Sequence, residues 1–333
     1  MKRKKIAFIG DGGWGTTLAI MLSRKDVDVS IWSAFPEYAV YLNRYRENKK
    51  FLPGFKIPGK ISITSDLQKA CSDSDVLVLA VPSQYLRGVL RKMKGCRLPR
   101  GADYLSVVKG IEAGSLKRMS EVISEELGRI RVAVLSGPTI AREVALGIPT
   151  TAVIASGRKD VREELQSLFI SESFRVYGND DVIGVELGGS LKNVIAIACG
   201  ISDGLGFGSN TKAALLSRGL AEIARLGAAM SAKPRTFSGI SGLGDLVTTC
   251  ISRDSRNRFV GEQIGMGRTL ADIRRKMGLM IAEGVPTAES AQGLSLRYKV
   301  DMPICGEVYR VLYKSKSPVK AVRDLMTRQM KKE

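Results

Sequence analysis

The stretch "KIAFIGDGGWGTTLA", residues 5–19, decides how the chain is read. It opens within a β-rich run, 4–10, and the chain from Trp14 to Arg24 reads as a helix. Where the two meet stand Gly10, Gly12 and Gly15 in the pattern G-x-G-x-x-G. Each glycine has a distinct use in a strand–turn–helix unit. Gly10 permits the tight turn, Gly12 lets backbone approach a pyrophosphate, and Gly15 lets helix and strand pack closely. The amides of the helix start supply partial positive charge to the anion. A glycine-rich turn that binds nothing would share these letters, so the surrounding pattern has to arbitrate.

Outward from the turn, short β-rich runs alternate with helical stretches. Strands are predicted at 4–10, 27–32, the end of 51–64, 75–81, 103–108, 131–136 and 150–156, with helices at 14–24, 84–94 and 115–127. "DVLVLAV" (75–81) is apolar without alternation, as a strand buried on both faces should be. The alternation predicts a Rossmann-like α/β domain with a mostly parallel, doubly wound sheet. Near residue 180 the pattern turns helical, with Asn179 or Asp180 as the expected N-cap and helices at 211–230, 256–267, 270–278 and 305–314. The expected organisation is a dinucleotide-binding α/β domain over 1–188 and an all-α substrate-binding domain over 189–333.

Composition narrows the partners. The formal charge is +19, but the basic residues are spread out, with only short clusters such as "KRKK" at the start and the terminal "KK". Aromatics are 6%, too sparse for a base-stacking surface, so no nucleic acid partner is expected. A diffuse positive field suits phosphorylated small molecules instead. No uninterrupted apolar run reaches the roughly 18 residues of a membrane span, and no integral membrane segment is expected. Five Cys with no C-x-x-C pair point away from a disulfide framework or metal site and towards the cytoplasm.

The coenzyme's identity is usually read at the end of the second strand, where an acid binds the ribose hydroxyls. Ser33 and Ala34 stand there, with neither an acid nor an Arg, and Glu37 comes slightly late. NADPH or NADH is therefore expected, with a lean towards tolerating NADPH. Asp11 puts a carboxylate inside the pyrophosphate turn. It is expected either to face the phosphates and weaken binding or to turn to solvent.

The chain has no histidine, so proton transfer near neutral pH falls to another side chain. Two lysines stand out. Lys109 follows a strand, at the sheet edge where open α/β folds bind ligands. Lys192, in "ELGGSLKNVIAIACG", sits on an apolar helix, either as a functional group or as a stem snorkelling to solvent. In "DSRNR", Ser255, Arg256 and Asn257 begin a helix and could converge on a phosphate, or merely cap it. Asp245 stands on the glycine-framed turn of "SGLGDLVTTC".

Taken together, "GDGGWGTTLA", "FLPG", "VPSQYLR", "VVKGIE", "LSGPTIAREVALGIPT", the block around "ELGGSLKNVIAIACG", "SGLGDLVTTCISRDSRNR", "AEGVPTA" and "MPICGEVYRVLY" resemble the NAD(P)-dependent glycerol-3-phosphate dehydrogenases of the bacterial type. The resemblance covers nearly the whole chain. It implies reversible reduction of dihydroxyacetone phosphate to sn-glycerol 3-phosphate, feeding phospholipid synthesis, and it suggests a homodimer. It implies that Lys192 is the proton donor and acceptor. Substrate contacts would fall to Lys109, Gly137, Thr139, Lys192, Asp245, Ser255, Arg256 and Asn257. Cofactor contacts would fall to Gly13 and Trp14 beside the three motif glycines, and to Lys109, Ala141, Arg256, Ile281 and Glu283. Gly13 departs from the Ser often found at its position. Two rival readings are another β-hydroxyacid-type dehydrogenase, from which "DSRNR" and "GLGDL" distinguish the chain, and a non-catalytic dinucleotide sensor. Joint presence of Lys109, Lys192, Asp245 and Arg256 speaks against the sensor.

Overall fold

The computed structural model describes residues 3–330, so Lys2 of the first basic cluster and the terminal "KK" lie outside the described residues. The strands are β1 (Lys4–Ile9), β2 (Val27–Trp32), β3 (Glu47–Asn48), β4 (Leu52–Lys56), β5 (Ser62–Thr64), β6 (Val76–Leu79), β7 (Asp103–Ser106), β8 (Arg131–Ser136), β9 (Thr150–Ala155) and β10 (Phe174–Asn179). Eight of them form one sheet in the order β10-β9-β8-β7-β6-β1-β2-β5, and β3 pairs with β4 apart from it. All neighbours in the large sheet run parallel except β8 and β9.

The unalternating apolar runs are explained by cover on both faces. In β1, Ile6 and Phe8 enter one buried cluster while Ala7 and Ile9 enter the other. In β6, Val76 and Val78 face the first and Leu77 and Leu79 the second. At about 25 cal/mol per Å² of apolar surface removed from water, such doubly buried strands contribute heavily to folding. β1 lies between β2 and β6, where the chain reverses its direction across the sheet. The turn leaving β1 thus stands at the topological switch point, the ligand crevice of this fold class.

The chain divides into two compact units. The first runs to Lys109 and resumes over Lys117–Glu186; the second takes Gly110–Leu116 and everything from Leu187. The sequence expectation kept 110–116 with the first domain. The segment belongs with the helical unit because the Ser290 hydroxyl donates to the Ile111 carbonyl at 3.2 Å, and Gly293 leaves room for the Leu116 side chain. The same excursion shortens the helix expected over 115–127 to Met119–Leu127, where Glu121 accepts the Arg118 N–H at 2.8 Å. β10 was not anticipated, and it runs parallel to β9 along one edge of the sheet.

The second unit is helical, and its first helix, Val182–Gly204, begins in the first unit. Its cap is Asp181 rather than Asn179 or Asp180. The Asp181 carboxylate accepts the Gly184 N–H at 2.9 Å, while Asn179 ends β10. By length and a mean hydropathy of 1.5 this helix is apolar enough to cross a membrane, yet 89% of that window is buried inside the protein. Glu186, Lys192 and the Gly and Ser between them interrupt its apolar run, so the helix is apolar in its average composition and holds no uninterrupted run of 18 apolar residues.

Candidate active site

The glycine turn has the shape its letters require. Gly10 has φ +124°, and a Cβ there would stand 2.7 Å from the Ala80 carbonyl oxygen, so no other residue fits. The helix Gly13–Leu22 opens without a side-chain cap from Gly12 and without an acid in its first turn. Its first amides are left for an outside anion, which is the observation that fits a dinucleotide pyrophosphate. Gly13 follows from local crowding, since a Cβ would meet the Phe51 carbonyl oxygen at 2.5 Å. A serine here would require "FLPG" to move. Trp14 packs on the core 6.4 Å from the Phe174 ring, with its indole N–H buried and unpartnered.

Asp11 does neither of the things expected of it. It is buried, and its Oδ2 accepts the Ser33 hydroxyl at 2.6 Å. Its own carbonyl accepts from Asn48 Nδ2 at 2.7 Å and from the Thr16 hydroxyl at 3.3 Å. Burial pushes its carboxyl above the usual range, against the Ser33 hydroxyl, its own amide and Lys50, which pull it down. The carboxylate is turned sideways, towards the end of β2, because the Ser33 hydroxyl supplies a donor there, while Asn48 holds the main-chain carbonyl.

Three further residues of the first unit meet at the ends of β7 and β8. Lys109 Nζ donates to the Gly137 carbonyl at 2.7 Å and to the Thr139 hydroxyl at 3.2 Å. Ala141 begins the next helix, and its carbonyl accepts the Thr17 hydroxyl at 3.2 Å, which ties it to the helix of the glycine turn.

In the second unit the assembly begins with Gly188. A Cβ there would lie 2.5 Å from the Ser241 carbonyl oxygen, so the "SGLGDL" turn packs backbone to backbone against the helix. Residues 240–244 form one π-helical turn that delivers Asp245 to the start of the helix Asp245–Ile251. Lys192 stands four residues after Gly188, on the same helix face. It is 5% exposed, and its Nζ donates to Asp245 Oδ1 and, at 2.6 Å, to the Thr249 hydroxyl. The snorkelling alternative does not occur. Thr249, overlooked in the sequence, donates in turn to the Asp245 carbonyl at 2.7 Å. The i, i+4 spacing of Asp245 and Thr249 within "GDLVTTC" was its available signal.

"DSRNR" opens the helix Arg256–Gly265, with Ser255 as its cap accepting the Arg258 N–H at 3.2 Å. Asn257 is buried and already bonded on both sides: its Nδ2 donates to Asn193 Oδ1 at 2.9 Å and its Oδ1 accepts the Gly284 N–H at 2.8 Å. It joins the residue after Lys192 to the segment containing Ile281 and Glu283, a part that Asn193 and Gly284 share and the sequence did not show. Arg256 is exposed at the helix start.

A doubly wound sheet with an open glycine turn at its switch point, followed by an all-α unit with a buried lysine, defines a dinucleotide-dependent oxidoreductase of the Rossmann class. The family can be given more closely. Residues 5–162 match the NAD-dependent glycerol-3-phosphate dehydrogenase N-terminus, and residues 181–323 match the C-terminus of the same enzymes. The chain belongs to the NAD-dependent glycerol-3-phosphate dehydrogenase family. The glycerol-3-phosphate dehydrogenase [NAD(P)+] of Prosthecochloris aestuarii is 50% identical over 331 residues, 98% of this chain and 99% of that one. That of Citrifermentans bemidjiense is 50% identical over 333 residues, 99% of each chain. The crystal structure of glycerol-3-phosphate dehydrogenase from Coxiella burnetii superposes with a TM-score of 0.94 at 36% identity, over 98% of this chain and 99% of that one.

Proposed function

We propose that this chain interconverts dihydroxyacetone phosphate and sn-glycerol 3-phosphate, with Lys192 as the group that moves the proton at the substrate oxygen. The product class feeds glycerophospholipid synthesis. The observation that carries the reading is the buried Lys192 ammonium fixed between Asp245 and Thr249. Carbonyl reduction needs a proton at oxygen while hydride adds at carbon, and no histidine is present to give it. Asp245 holds the ammonium in place for the oxygen on which negative charge develops. The nicotinamide dinucleotide, NADH or NADPH, supplies the hydride when bound. The amides of Gly13 and Trp14 and the turn of Gly10, Gly12 and Gly15 would hold it, with Ala141, Ile281 and Glu283 as the further contacts the family pattern implies.

Lys109 is held at its head by Gly137 and Thr139, a cation placed to bind the substrate's phosphate or steady charge on its oxygen. Arg256, exposed beside the Ser255 cap, is the clamp for a phosphate dianion, so binding remote from the reacting carbon sets its position. Asn257 supports that clamp through its bonds to Asn193 and Gly284. The five free cysteines support a reducing, cytoplasmic setting. The test follows loss of reduced-nicotinamide absorbance with dihydroxyacetone phosphate present and absent. Substrate-dependent oxidation is expected, with unphosphorylated dihydroxyacetone turned over far less well. Equal rates with both ketones would overturn the phosphate assignment.

A further inference from the structure

We propose that Asp11 is the acid that reads the adenosine ribose of the coenzyme, and that it makes the chain selective for NAD(H) over NADP(H). The inference rests on the dinucleotide-binding function proposed above and deepens it. In this fold class the ribose 2′ position is read by an acidic side chain at the end of the second strand. Here β2 ends at Trp32, and the next residue is Ser33, so that acid is missing from its usual place in the chain. The structure supplies one from elsewhere. The Asp11 carboxylate lies 2.6 Å from the Ser33 hydroxyl, at the very end of β2. The turn is pinned there by backbone as well, since the Gly10 N–H donates to the Trp32 carbonyl at 3.1 Å.

The orientation is held by several contacts. Asn48 Nδ2 grips both the Asp11 carbonyl and the Thr16 hydroxyl, at 2.7 and 2.8 Å, and the Tyr38 hydroxyl donates to Asn48 Oδ1 at 2.7 Å. These bonds fix the main chain of the turn, and the Ser33 hydroxyl holds the carboxylate itself towards the end of β2. A 2′-hydroxyl can donate to a carboxylate in this position. A 2′-phosphate meets like charge there, and no Arg follows Ser33 to offset it, since Ala34 and Phe35 come next; the cation that acts on Asp11 is Lys50, whose ammonium lies over the Tyr38 ring, 4.3 Å from its centroid.

The test is binding, without substrate or turnover. Calorimetry of the whole chain at pH 8 compares ADP-ribose with 2′-phospho-ADP-ribose for the wild type, Asp11→Asn and Asp11→Ala. The wild type is expected to favour ADP-ribose by at least about tenfold. Asp11→Asn keeps the size and a partner for Ser33 but lacks the charge, and it should lose most of that preference, as should Asp11→Ala. A preference unmoved in Asp11→Asn, or absent in the wild type, overturns the proposal while leaving the proposed reaction standing. Binding of neither ligand by the wild type overturns both. If Asp11→Ala fails to fold, the charge-only variant Asp11→Asn decides alone.

Discussion

The two units carry candidate functional groups made of different materials. In the first, the ligand-facing part is main chain: an uncapped helix start and a turn whose glycines leave amides accessible. In the second it is side chain: an ammonium held by a carboxylate and a hydroxyl, each from a residue more than fifty positions away in sequence. The difference follows from the tasks. Holding a pyrophosphate needs many weak donors at fixed spacing, which backbone provides whatever the neighbouring side chains are. Moving a proton needs one group at one place, and its position is set by everything packed around it.

The largest expected effect tests the side-chain half. Lys192→Ala should lower kcat by about 10²–10⁴, the usual span for losing a general acid. ADP-ribose affinity should remain within about twofold of wild type, because the backbone cradle is untouched. Steady-state assays and calorimetry on the same preparation read both quantities. Turnover near wild type would show that another group moves the proton. A parallel loss of ADP-ribose binding would show that the two halves are not separable.

The same division explains what the sequence revealed. The sheet was legible because strands covered on both faces read as unbroken apolar runs, as in β6, and because a backbone site leaves its glycines in fixed order. β10 was hidden: "FRVYGN" alternates buried and exposed positions at the sheet edge and carries Arg175, so it does not look like its neighbours. The excursion of 110–116 was hidden too, because a short irregular segment built around a turn has no periodicity to betray which unit it packs on. In the helical unit, Lys192 drew attention as a charge among apolar residues, and the family resemblance gave it a role. Spacing puts Asp245 and Thr249 on one helix face, but that they meet Lys192 could not be read from it, since Gly188 meeting Ser241 is a matter of three-dimensional packing. Asp11 was misjudged because a one-dimensional motif says which turn a side chain occupies, not which way it leaves it.

A matched pair of glycine substitutions sharpens the comparison at smaller scale. Gly12→Ala adds a methyl group whose nearest neighbour is the Ala80 carbonyl oxygen at 3.9 Å, an ordinary contact. Stability should change by about 1 kcal/mol or less. Dinucleotide affinity should fall, because the new methyl occupies the approach to the amides. Gly188→Ala should do the reverse. Its methyl cannot fit 2.5 Å from the Ser241 carbonyl oxygen, so the turn carrying Asp245 must shift, at a cost of about 1–3 kcal/mol. kcat should drop with it while ADP-ribose binding holds. Thermal midpoints with the two ligand assays separate these patterns. If both variants lose the same function, the contrast between backbone site and side-chain site fails.

The smallest effect concerns buried acids, of which each unit has an instructive one. Asp11 in the first lies beside an open ligand turn. Glu222 in the second is 1% exposed and wholly structural, accepting the N–H groups of Ile304 and Cys305 at 2.7 and 3.1 Å where the helix Pro303–Tyr313 begins. Burial raises its pKa to about 7, only partly offset by those two amides, the Cys305 thiol and Arg225. The folded state therefore holds this proton more tightly than the unfolded chain, whose value is near the ordinary 4.5. Its contribution to stability is fully present below about 4.5, falls as the pH rises towards 7, and is flat above that. The span should be of order 1–3 kcal/mol. Glu222→Gln keeps an acceptor for the helix start and removes the ionisation. The wild-type denaturation midpoint should then fall relative to the variant's as the pH rises from about 4.5 towards 7. A difference independent of pH would mean that Glu222 titrates in the folded protein as it does in the unfolded chain, the helix start compensating its charge as completely as water would.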